Sequence, residues 1–590
     1  MIIGLLAGTL LAVFVPYGAG YDEDSHIIRI FDIASGNLIP SMRNKEDVTF
    51  TEFYTMSYKR SYLQVPANDF FSREKFFLRA DRYNASGVTT HSTYSPFVFL
   101  LDAVIARIAW IYLDLPLLPV ILFMRFAGLC LFLLVGMITI KILPTGKWIM
   151  AILLLAPMSL YQASTLNGDR FTIGVSVFFI AVVLKTFTKK EEPLNLKDTL
   201  LVALATVLVG VSKPGTIIIL PMLLILLRHQ FATKKLKWLF LFSIAFSVTY
   251  SIGWSFLAVL GTTVASTGTT RAYQIQLILK NFLDFLKVYF VGIYNLIPRY
   301  YTDWVAEYGY WMGKVPWPVY LFFPIALVLA FLTESRKAVY PRRMRLFIGL
   351  LAIFCLAVIA SVKFIWAYVP GNYYFGSQGR YFLSFAPLLF MAFSGLVEVR
   401  PNWRKLAKIG SILFIFAALV FYGVGVYRTY YTTCIFAVDA NHPCTLPVYR
   451  NLDIQNPVNL PLTAGSSFEQ TFVPKCDPIN AIDLRVLTLD GATTGTVQVS
   501  LFNSADELLQ QSQVPLSEIR VGEQNQFSFP TAATKMDETY SFQVSLSEDA
   551  SATLGLWGTP DDGYTAGQLL INGSPSESAF DLYLQYECPR

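Results

Sequence analysis

Three consecutive carboxylates, Asp22, Glu23 and Asp24, follow the first apolar run of the chain, and His26 and Arg29 come shortly after them. Acids placed directly after an apolar helix lie near the level of the lipid headgroups, where partial desolvation and mutual repulsion favour general-base behaviour. The alternative is a solvated helix cap, because the IIRIFDI segment that follows has helical apolar spacing. This cluster is therefore a candidate for acid–base chemistry.

Isolated charges also stand at the ends of later apolar runs. Asp169 and Arg170 occur in STLNGDR, Lys213 in SKPG and Arg380 in YYFGSQGRY. Lysine and arginine can bind the oxygens of a lipid phosphate and neutralise the charge of a departing phosphate. Snorkelling of a long basic side chain toward the membrane interface is the alternative.

The same acids raise the question of a metal. Asp22, Glu23, Asp24 and Asp169 could chelate Mg²⁺ or Mn²⁺ through their oxygens. We expect no obligatory metal for this chain.

These residues belong to a chain whose composition excludes a soluble multidomain enzyme. Its 590 residues are 54% hydrophobic and 15% charged, with a mean hydropathy of +0.49. Residues 1–428 hold 40 Lys and Arg against 21 Asp and Glu, whereas residues 429–590 hold 6 against 19. The composition indicates a basic membrane body that suits an anionic lipid surface, followed by an acidic soluble tail; nothing indicates nucleic acid.

Apolar runs and basic loops together predict about eleven transmembrane helices. Every second loop is basic, which places those loops in the cytoplasm and the candidate residues outside. The predicted spans are Met1–Tyr17, Pro119–Lys141, Lys147–Leu160, Phe171–Phe187, Thr199–Val211, Gly215–Leu227, Leu236–Leu260, Pro316–Leu332, Leu346–Val362, Tyr381–Val397 and Ile409–Val426.

The first outer loop is expected to span residues 18–118 and to contain interfacial helices. Its last part, Tyr94–Leu118, is apolar but carries Asp102, Arg107 and Asp114. Counting this segment as a span would place the basic loops outside, so we predict an amphipathic helix at the outer interface.

The tail, residues 429–590, changes to short alternating runs separated by turn residues, which predicts an extracytoplasmic β-sandwich. It resembles jelly-roll carbohydrate-binding modules, with Trp557 and Tyr564 as candidate sugar platforms. Holding a polymeric acceptor and acting as a spacer or docking module are both open interpretations.

Four of the six cysteines lie in this tail, which indicates an oxidising compartment. Four cysteines allow three pairings, of which we expect Cys434 with Cys444 and Cys476 with Cys588.

The membrane body resembles the GT-C superfamily of membrane glycosyltransferases, and specifically a bacterial multi-pass branch of it. The resemblance covers roughly residues 1–428. It rests on Asp22–Arg29, which reads D-E-x-x-H-x-x-R, on SKPG, and on QGRYFLSFAPLL before a late span. An added Asp24 and the long C-terminal domain depart from many relatives.

The resemblance implies catalysis on the outer face with a polyprenyl-linked donor. The first-loop base corresponds to Asp22, with Glu23 beside it, and a second acidic position corresponds to Asp169. Lys213 and Arg380 correspond to the residues that meet the lipid phosphate. The motifs that carry the resemblance also make His26, Arg29 and Gln378 candidate substrate-binding residues.

The functional hypothesis is an inverting glycosyltransferase of the plasma membrane that moves a sugar from a polyprenyl phosphate to a cell-wall or surface polysaccharide. A transporter or flippase of a lipid-linked saccharide is the alternative from another class. Transporters usually carry ionisable residues at mid-membrane and internal repeats, whereas here Arg125 is the clearest charge within a span and no repeat is visible. A polymerase or ligase that uses a pyrophosphate-linked oligosaccharide is a third possibility.

Overall fold

The computed structural model describes most of the chain, and it divides the chain into two compact units between Thr429 and Tyr430. The described residues are 1–16, 18–39, 94–189, 192–227, 229–260, 271–308, 315–334, 340–367, 377–395, 399–431, 458–474, 479–521, 524–532, 534–535, 538–559, 567–576, 581–582 and 585–587.

The described part of the first unit is helical. Its α-helices are α1 (Ile2–Phe14), α2 (Glu23–Ala34), α3 (Leu100–Ala106), α4 (Leu117–Ile142), α5 (Lys147–Leu154), α6 (Pro157–Ser164), α7 (Asp169–Phe187), α8 (Leu196–Gly210), α9 (Lys234–Leu260), α10 (Arg271–Lys280), α11 (Phe282–Val305), α12 (Trp317–Thr333), α13 (Arg342–Ala367), α14 (Ala386–Phe393) and α15 (Pro401–Tyr431). Three 3₁₀-helices, Pro96–Phe99, Pro214–Leu226 and Gly379–Ser384, and one π-helix, Arg107–Tyr112, occur between them.

Five helices among the described residues are long and apolar enough to cross a membrane. They lie in α4, α7, α9, α13 and α15, and α1, α12 and the 3₁₀-helix Pro214–Leu226 are shorter apolar helices. A helix occupies each of the eleven predicted positions, and the number of crossings stays a prediction. The chain is thus a helical membrane protein in this unit.

Prolines explain why some predicted spans appear as shorter pieces. The predicted span Lys147–Leu160 is divided into α5 and α6, and Pro157 is the first residue of α6. In the predicted span Tyr381–Val397, a 3₁₀-helix ends before α14, which has Pro387 in its first turn. Proline has no N–H group and clashes with the preceding turn, so it begins helices and interrupts them.

The predicted amphipathic segment before α4 forms the 3₁₀-helix Pro96–Phe99, α3 and the π-helix. Asp102 in α3 is buried, whereas Leu100, Leu101 and Val104 are exposed. The acid therefore faces the protein interior while the apolar side chains face outward, which is the reverse of a soluble amphipathic helix and suits a lipid environment.

The second unit consists of two six-stranded antiparallel sheets that share one hydrophobic core. The strands are β1 (Val458–Leu462), β2 (Ser467–Phe472), β3 (Ile479–Asp490), β4 (Thr496–Phe502), β5 (Leu508–Pro515), β6 (Gln524–Ala532), β7 (Tyr540–Leu546), β8 (Thr553–Thr559), β9 (Leu569–Ile571), β10 (Ser574–Pro575), β11 (Asp581–Leu582) and β12 (Gln585–Glu587). In the first sheet the order is β1-β8-β3-β12, with β11 paired to β8 and β6 to β3, and in the second it is β10-β9-β2-β7-β4-β5. Alternating burial along β2 and β4 produces the inward apolar face.

The cysteines of the tail, Cys434, Cys444, Cys476 and Cys588, all lie outside the described residues, and so do both predicted disulfides. Cys130 and Cys355, in the membrane body, are free thiols.

Candidate functional site

Two acid–cation pairs meet around one tyrosine. Arg380 Nη2 donates to Asp22 Oδ2 at 3.1 Å, and Lys213 Nζ donates to Asp169 Oδ1 at 3.0 Å. The Lys213 ammonium lies 4.3 Å from the ring centre of Tyr381, and the Arg380 guanidinium lies 5.2 Å from the same ring. Four charges that are far apart in the sequence therefore form one cluster.

The ends of secondary-structure elements position these four side chains. Asp22 stands immediately before α2, and Asp169 is the first residue of α7. Lys213 immediately precedes the 3₁₀-helix Pro214–Leu226, and Arg380 lies in the 3₁₀-helix Gly379–Ser384. Both acids thus stand at helix N-termini, where the positive end of the helix dipole favours a negative charge.

Two further tyrosines form walls against the cations. The Arg380 guanidinium lies 3.9 Å from the ring centre of Tyr21, and the Lys213 ammonium lies 4.9 Å from that of Tyr94. The negative face of an aromatic ring attracts a cation and holds it in place. Burial alone would lower the pKa of Lys213, but the carboxylate of Asp169 and the phenols of Tyr94 and Tyr381 hold that pKa above its ordinary value.

Asp22 is the more accessible member of its pair. Its side chain is 26% exposed, whereas the side chain of Arg380 is only 4% exposed. The backbone of Asp22 has φ 55° and ψ 19°, which is the left-handed conformation. Aspartate and asparagine adopt this conformation more readily than most other residues, and strained backbone of this kind is concentrated at functional sites. The backbone therefore fixes the direction of the Asp22 side chain, and that side chain is accessible at the protein surface.

Glu23 is placed differently from its neighbour, against the prediction that it is catalytic. It is fully buried, and its Oε1 and Oε2 accept from Arg125 at 2.8 and 2.6 Å. Backbone N–H groups of Gly18, Gly20 and Leu166 donate to the same carboxylate at 2.8 to 3.1 Å. All of its acceptor capacity is used internally, so Glu23 fixes the first loop and does not face the open site.

Arg125, the charge predicted within a span, completes this buried structure. Its Nη1 donates to the carbonyl oxygens of Ala12 and Val15 at 2.9 and 2.6 Å, and its Nη2 donates to that of Pro16 at 3.1 Å. These carbonyls lie at the end of α1, where no helical partner is left for them. The Arg125–Glu23 pair therefore connects α4 to the end of α1 and the start of α2.

His26 and Arg29, predicted to bind substrate, lie behind the cluster. His26 is buried and stacks on Tyr94, with ring centres 5.3 Å apart. Arg29 is buried and donates to Asp32 Oδ2 at 2.6 Å and to the carbonyl oxygen of Leu38 at 2.6 Å. His26 therefore packs against Tyr94, which contacts Lys213. Arg29 instead forms its hydrogen bonds with residues at and after the end of α2.

Gln378 and Asp24 complete the predicted site residues. Gln378 is buried two positions before Arg380, and its Oε1 has no hydrogen-bond partner among the described residues. The side chain of Asp24 lies outside the described residues.

Among the acids whose side chains the structure describes, Asp22, Glu23 and Asp169 already have internal partners. Asp22 and Asp169 each bind a cationic side chain, and every acceptor of Glu23 is already used. Within the described ranges no three His, Cys, Asp or Glu residues are grouped so that they could hold a metal.

A large apolar cavity lies next to the charged cluster. Its volume is about 610 Å³, and it is lined by parts of the 3₁₀-helix Pro96–Phe99, α3, α4, α7 and α8. Its lining includes Leu101, Val104 and Leu131, which are also exposed at the outer surface of the helices. An apolar cavity that opens between exposed apolar side chains can accept a hydrocarbon chain from the bilayer.

A buried ion pair connects this cavity to the charges. Arg170 Nη2 pairs with Asp102 Oδ2 at the cavity wall, and Arg170 directly follows Asp169. Gly128 of α4 leaves the space for this arginine, because a Cβ there would overlap the guanidinium. Val211 also lines the cavity two residues before Lys213. The cavity and the cluster thus share α7 and the segment that follows α8.

The sequence prediction missed three polar groups at the edge of the site. Tyr21 contacts Glu307 as well as Arg380, and Glu307 contacts Asp303. Asp303 Oδ2 accepts from the backbone N–H of Gly379 at 3.1 Å. The signal in the sequence was two acids four residues apart within the aromatic segment YTDWVAEYGYW, which indicated no partner.

The tail offers no sugar platform at Trp557. This side chain is buried, and the Arg485 guanidinium lies 4.4 Å from its ring centre. Tyr564 lies outside the described residues. The prediction of Trp557 as a sugar platform is therefore wrong, because its ring is buried and is covered by Arg485.

Apolar helices of spanning length, with a separate β-sheet unit after them, define the class as an integral membrane protein. Residues 5–389 match the model of the family described as DUF2142, predicted membrane protein, and the chain belongs to that family. The matched region contains all four charges of the cluster. No curated protein matches the chain.

Proposed function

We propose that this protein is a GT-C-type inverting glycosyltransferase, which takes a sugar from a polyprenyl phosphate and transfers it to a cell-wall or surface polysaccharide. The observation that carries the proposal is the placement of two acid–cation pairs around Tyr381, next to an apolar cavity of about 610 Å³. A phosphate on a long hydrocarbon chain needs both parts, since the chain needs an apolar cavity and the phosphate needs cations.

The donor binds by replacing the internal carboxylates. In the structure each cation already has a carboxylate partner, Arg380 with Asp22 and Lys213 with Asp169. A lipid phosphate offers more oxygens and can accept from both cations together. Binding of the phosphate therefore competes with both pairs and releases Asp22. The donor is expected to bind before the acceptor for this reason.

The chemical step uses the released carboxylate as a general base. Asp22 removes the proton from the acceptor hydroxyl while the hydroxyl oxygen attacks the anomeric carbon. The bond between that carbon and the phosphate oxygen breaks, and polyprenyl phosphate leaves with the bonding electron pair. Lys213 and Arg380 stabilise the charge that develops on the phosphate. One displacement inverts the configuration of the anomeric carbon.

The charge distribution of the loops supports the proposed orientation. Basic side chains are concentrated in every second loop, which favours a plasma-membrane protein of eleven spans with the cluster on the outer face. The second unit would then be extracytoplasmic, and its two sheets with a common core suit a jelly-roll carbohydrate-binding module that holds the acceptor.

A transfer assay tests the proposal against the flippase alternative. The full chain, reconstituted in vesicles, is incubated with radiolabelled polyprenyl phosphate sugars and with wall polysaccharide. We expect label in the polysaccharide, with inverted anomeric configuration. Movement of the labelled lipid between leaflets without transfer would contradict the proposal and favour a flippase. Transfer of a block from an oligosaccharide pyrophosphate alone would favour a polymerase or ligase.

Filling the cavity should weaken the binding of long-chain donors selectively. Val135 lines the cavity, and Val135→Trp would occupy part of it. Losing the burial of two CH₂ groups costs about 1.6 kcal/mol, so we expect the KM of a long-chain donor to rise about tenfold. The KM of a donor with a chain of two isoprene units should stay within about twofold.

The neighbouring residue provides a matched control for this substitution. Leu134 is exposed and is not part of the cavity lining, so Leu134→Trp should leave both KM values unchanged. Equal KM values of Val135→Trp and the unaltered protein for the long-chain donor would show that the chain binds elsewhere.

A further inference from the structure

A pair of buried acids stands beside the site and takes no part in the transfer step. Asp303 lies in the last turn of α11 and is fully buried, and Glu307 follows four residues later and is 8% exposed. The carboxyl groups of Asp303 and Glu307 lie close enough to interact. Two ionised carboxylates repel each other at such a distance and offer no donor, so one of them must hold a proton.

The hydrogen bonds place that proton on Glu307. Asp303 Oδ2 accepts from the backbone N–H of Gly379, whereas Asp303 Oδ1 is buried and has no hydrogen-bond partner among the described residues. A protonated Glu307 supplies the donor that Oδ1 needs. Burial, followed by the hydrogen bond and the charge of Asp303, raises the pKa of Glu307 to about 9.

The acid pair reaches Arg380 by two routes. Through Asp303 it holds the N–H group of Gly379, the residue directly before Arg380. The backbone approaches α11 so closely there that a Cβ on Gly379 would collide with the carbonyl oxygen of Tyr300. Through Glu307 it contacts Tyr21, whose ring lies 3.9 Å from the Arg380 guanidinium.

We propose that Asp303 and Glu307 are positioning residues, whose single shared proton keeps Arg380 directed at Asp22 and at the donor phosphate. Loss of that proton places two carboxylates against each other, which separates the pair and releases both Gly379 and Tyr21. The phosphate part of this inference rests on the proposed function, whereas the shared proton does not.

Among the residues that the structure describes, Glu307 and Asp303 have no buried cation beside them. Arg299 of α11 is the nearest, with Nε 3.9 Å from Asp303 Oδ2 and a side chain that is 43% exposed. The other described groups that face Glu307 are phenols. They are Tyr21 in the first loop, Tyr320 on α12 and Tyr422 on α15, and the Tyr422 hydroxyl donates to the carbonyl oxygen of Glu307. Hydroxyls of this kind do not neutralise a second negative charge.

The direction of the pH dependence follows from the raised pKa. The folded protein holds the proton of Glu307 up to about pH 9, whereas the unfolded chain releases it near the ordinary value of 4.5. Stability from this group is therefore fully present below about pH 4.5 and is lost as the pH rises toward 9. Glu307→Gln keeps a neutral donor and removes this dependence.

Binding of farnesyl phosphate, measured by calorimetry with the full chain in nanodiscs between pH 7.5 and 10, tests the positioning role. One unit above a pKa, the competent fraction is about one tenth, so we expect the unaltered protein to bind about tenfold more weakly at pH 10. The affinity of Glu307→Gln for farnesyl phosphate should change by less than about twofold over the same pH range. An equal loss of affinity at high pH in the unaltered protein and in Glu307→Gln would overturn the inference.

A control variant and a second measurement make the test independent of the ligand. Glu334 accepts from the backbone N–H groups of Gly146 and Trp148 and is remote from this pair in the chain, so Glu334→Gln should keep the pH profile of the unaltered protein. Thermal unfolding is followed over the same pH range. If farnesyl phosphate binds at no pH, the proposed function fails. The dependence of the unfolding midpoint on pH then tests whether Asp303 and Glu307 share a proton. An unfolding midpoint that falls between pH 7.5 and 10 in the unaltered protein, but not in Glu307→Gln, supports the shared proton. Unfolding midpoints that change in parallel in the two proteins overturn it.

Discussion

Replacing Asp22 by asparagine is expected to reduce sugar transfer by at least about 10²-fold, because general-base assistance contributes about 10² to 10⁴-fold to rate. Asparagine cannot take the proton of the acceptor hydroxyl. It adopts the left-handed backbone found at φ 55° as readily as aspartate does, so the fold should be preserved. The measurement is kcat for transfer from a polyprenyl phosphate sugar, together with the thermal unfolding midpoint.

A second aspartate provides the control for this substitution. Asp198 also pairs with a lysine, Lys189, at 2.8 Å, but it lies at the start of α8, in a predicted cytoplasmic loop. Asp198→Asn should leave kcat unchanged. Near-normal turnover by Asp22→Asn would remove Asp22 from the role of base, while the geometry of the cluster would still require another explanation.

Replacing Glu23, the residue next to Asp22, by alanine is expected to lower the stability of the folded protein as well as its activity. Removing one partner of a buried ion pair costs about 3 to 5 kcal/mol, because the other charge stays buried without compensation. Here the orphaned groups are the guanidinium of Arg125 and three backbone N–H groups. We expect poor recovery of folded protein and a lowered unfolding midpoint in detergent.

Glu23→Gln distinguishes structure from catalysis at this position. Glutamine keeps one acceptor oxygen for the surrounding donors, so the unfolding midpoint should fall less than in Glu23→Ala. Transfer by the folded fraction of Glu23→Gln should remain within about tenfold of the unaltered protein, because Glu23 is buried against Arg125 and takes no part in the proposed chemical step. A stable Glu23→Gln protein that has lost all transfer would show that Glu23 is catalytic after all.

The sequence predicts candidate site residues where a charged residue stands at the end of an apolar helix. Asp169, Lys213 and Arg380 were singled out because lone charges at the outer ends of apolar helices are unfavourable without a partner. The structure brings them together with Asp22. Helix positions were also predictable, since apolar runs and prolines determine them locally.

Partner choice was not predictable from the sequence, because tertiary packing determines it. Asp22 and Glu23 are neighbours with the same chemistry, and only the position of Arg125, more than one hundred residues away, makes one of them structural. In the same way, Asp303 and Glu307 stand within the aromatic segment YTDWVAEYGYW, and nothing in that segment indicates their partners. Their contact with the Gly379–Arg380 backbone and with Tyr21 depends on how α11 packs.

Trp557 shows the same limit in the second unit. An aromatic residue in a predicted β-sandwich is equally compatible with the surface and with the interior. Trp557 pairs with the exposed Asn459 of β1 and lies outside the core shared by the two sheets, yet its ring is buried and lies against Arg485. The alternation of the sequence predicted sheets, but it did not identify which face of this strand was covered.

The most direct test is a cryo-electron microscopy structure of the protein in nanodiscs with a long-chain polyprenyl phosphate. We expect density for the phosphate between Lys213 and Arg380, with both carboxylates displaced and the hydrocarbon chain in the cavity lined by Leu101 and Val135. Phosphate density at another location, with the Asp22–Arg380 and Asp169–Lys213 pairs intact, would contradict it.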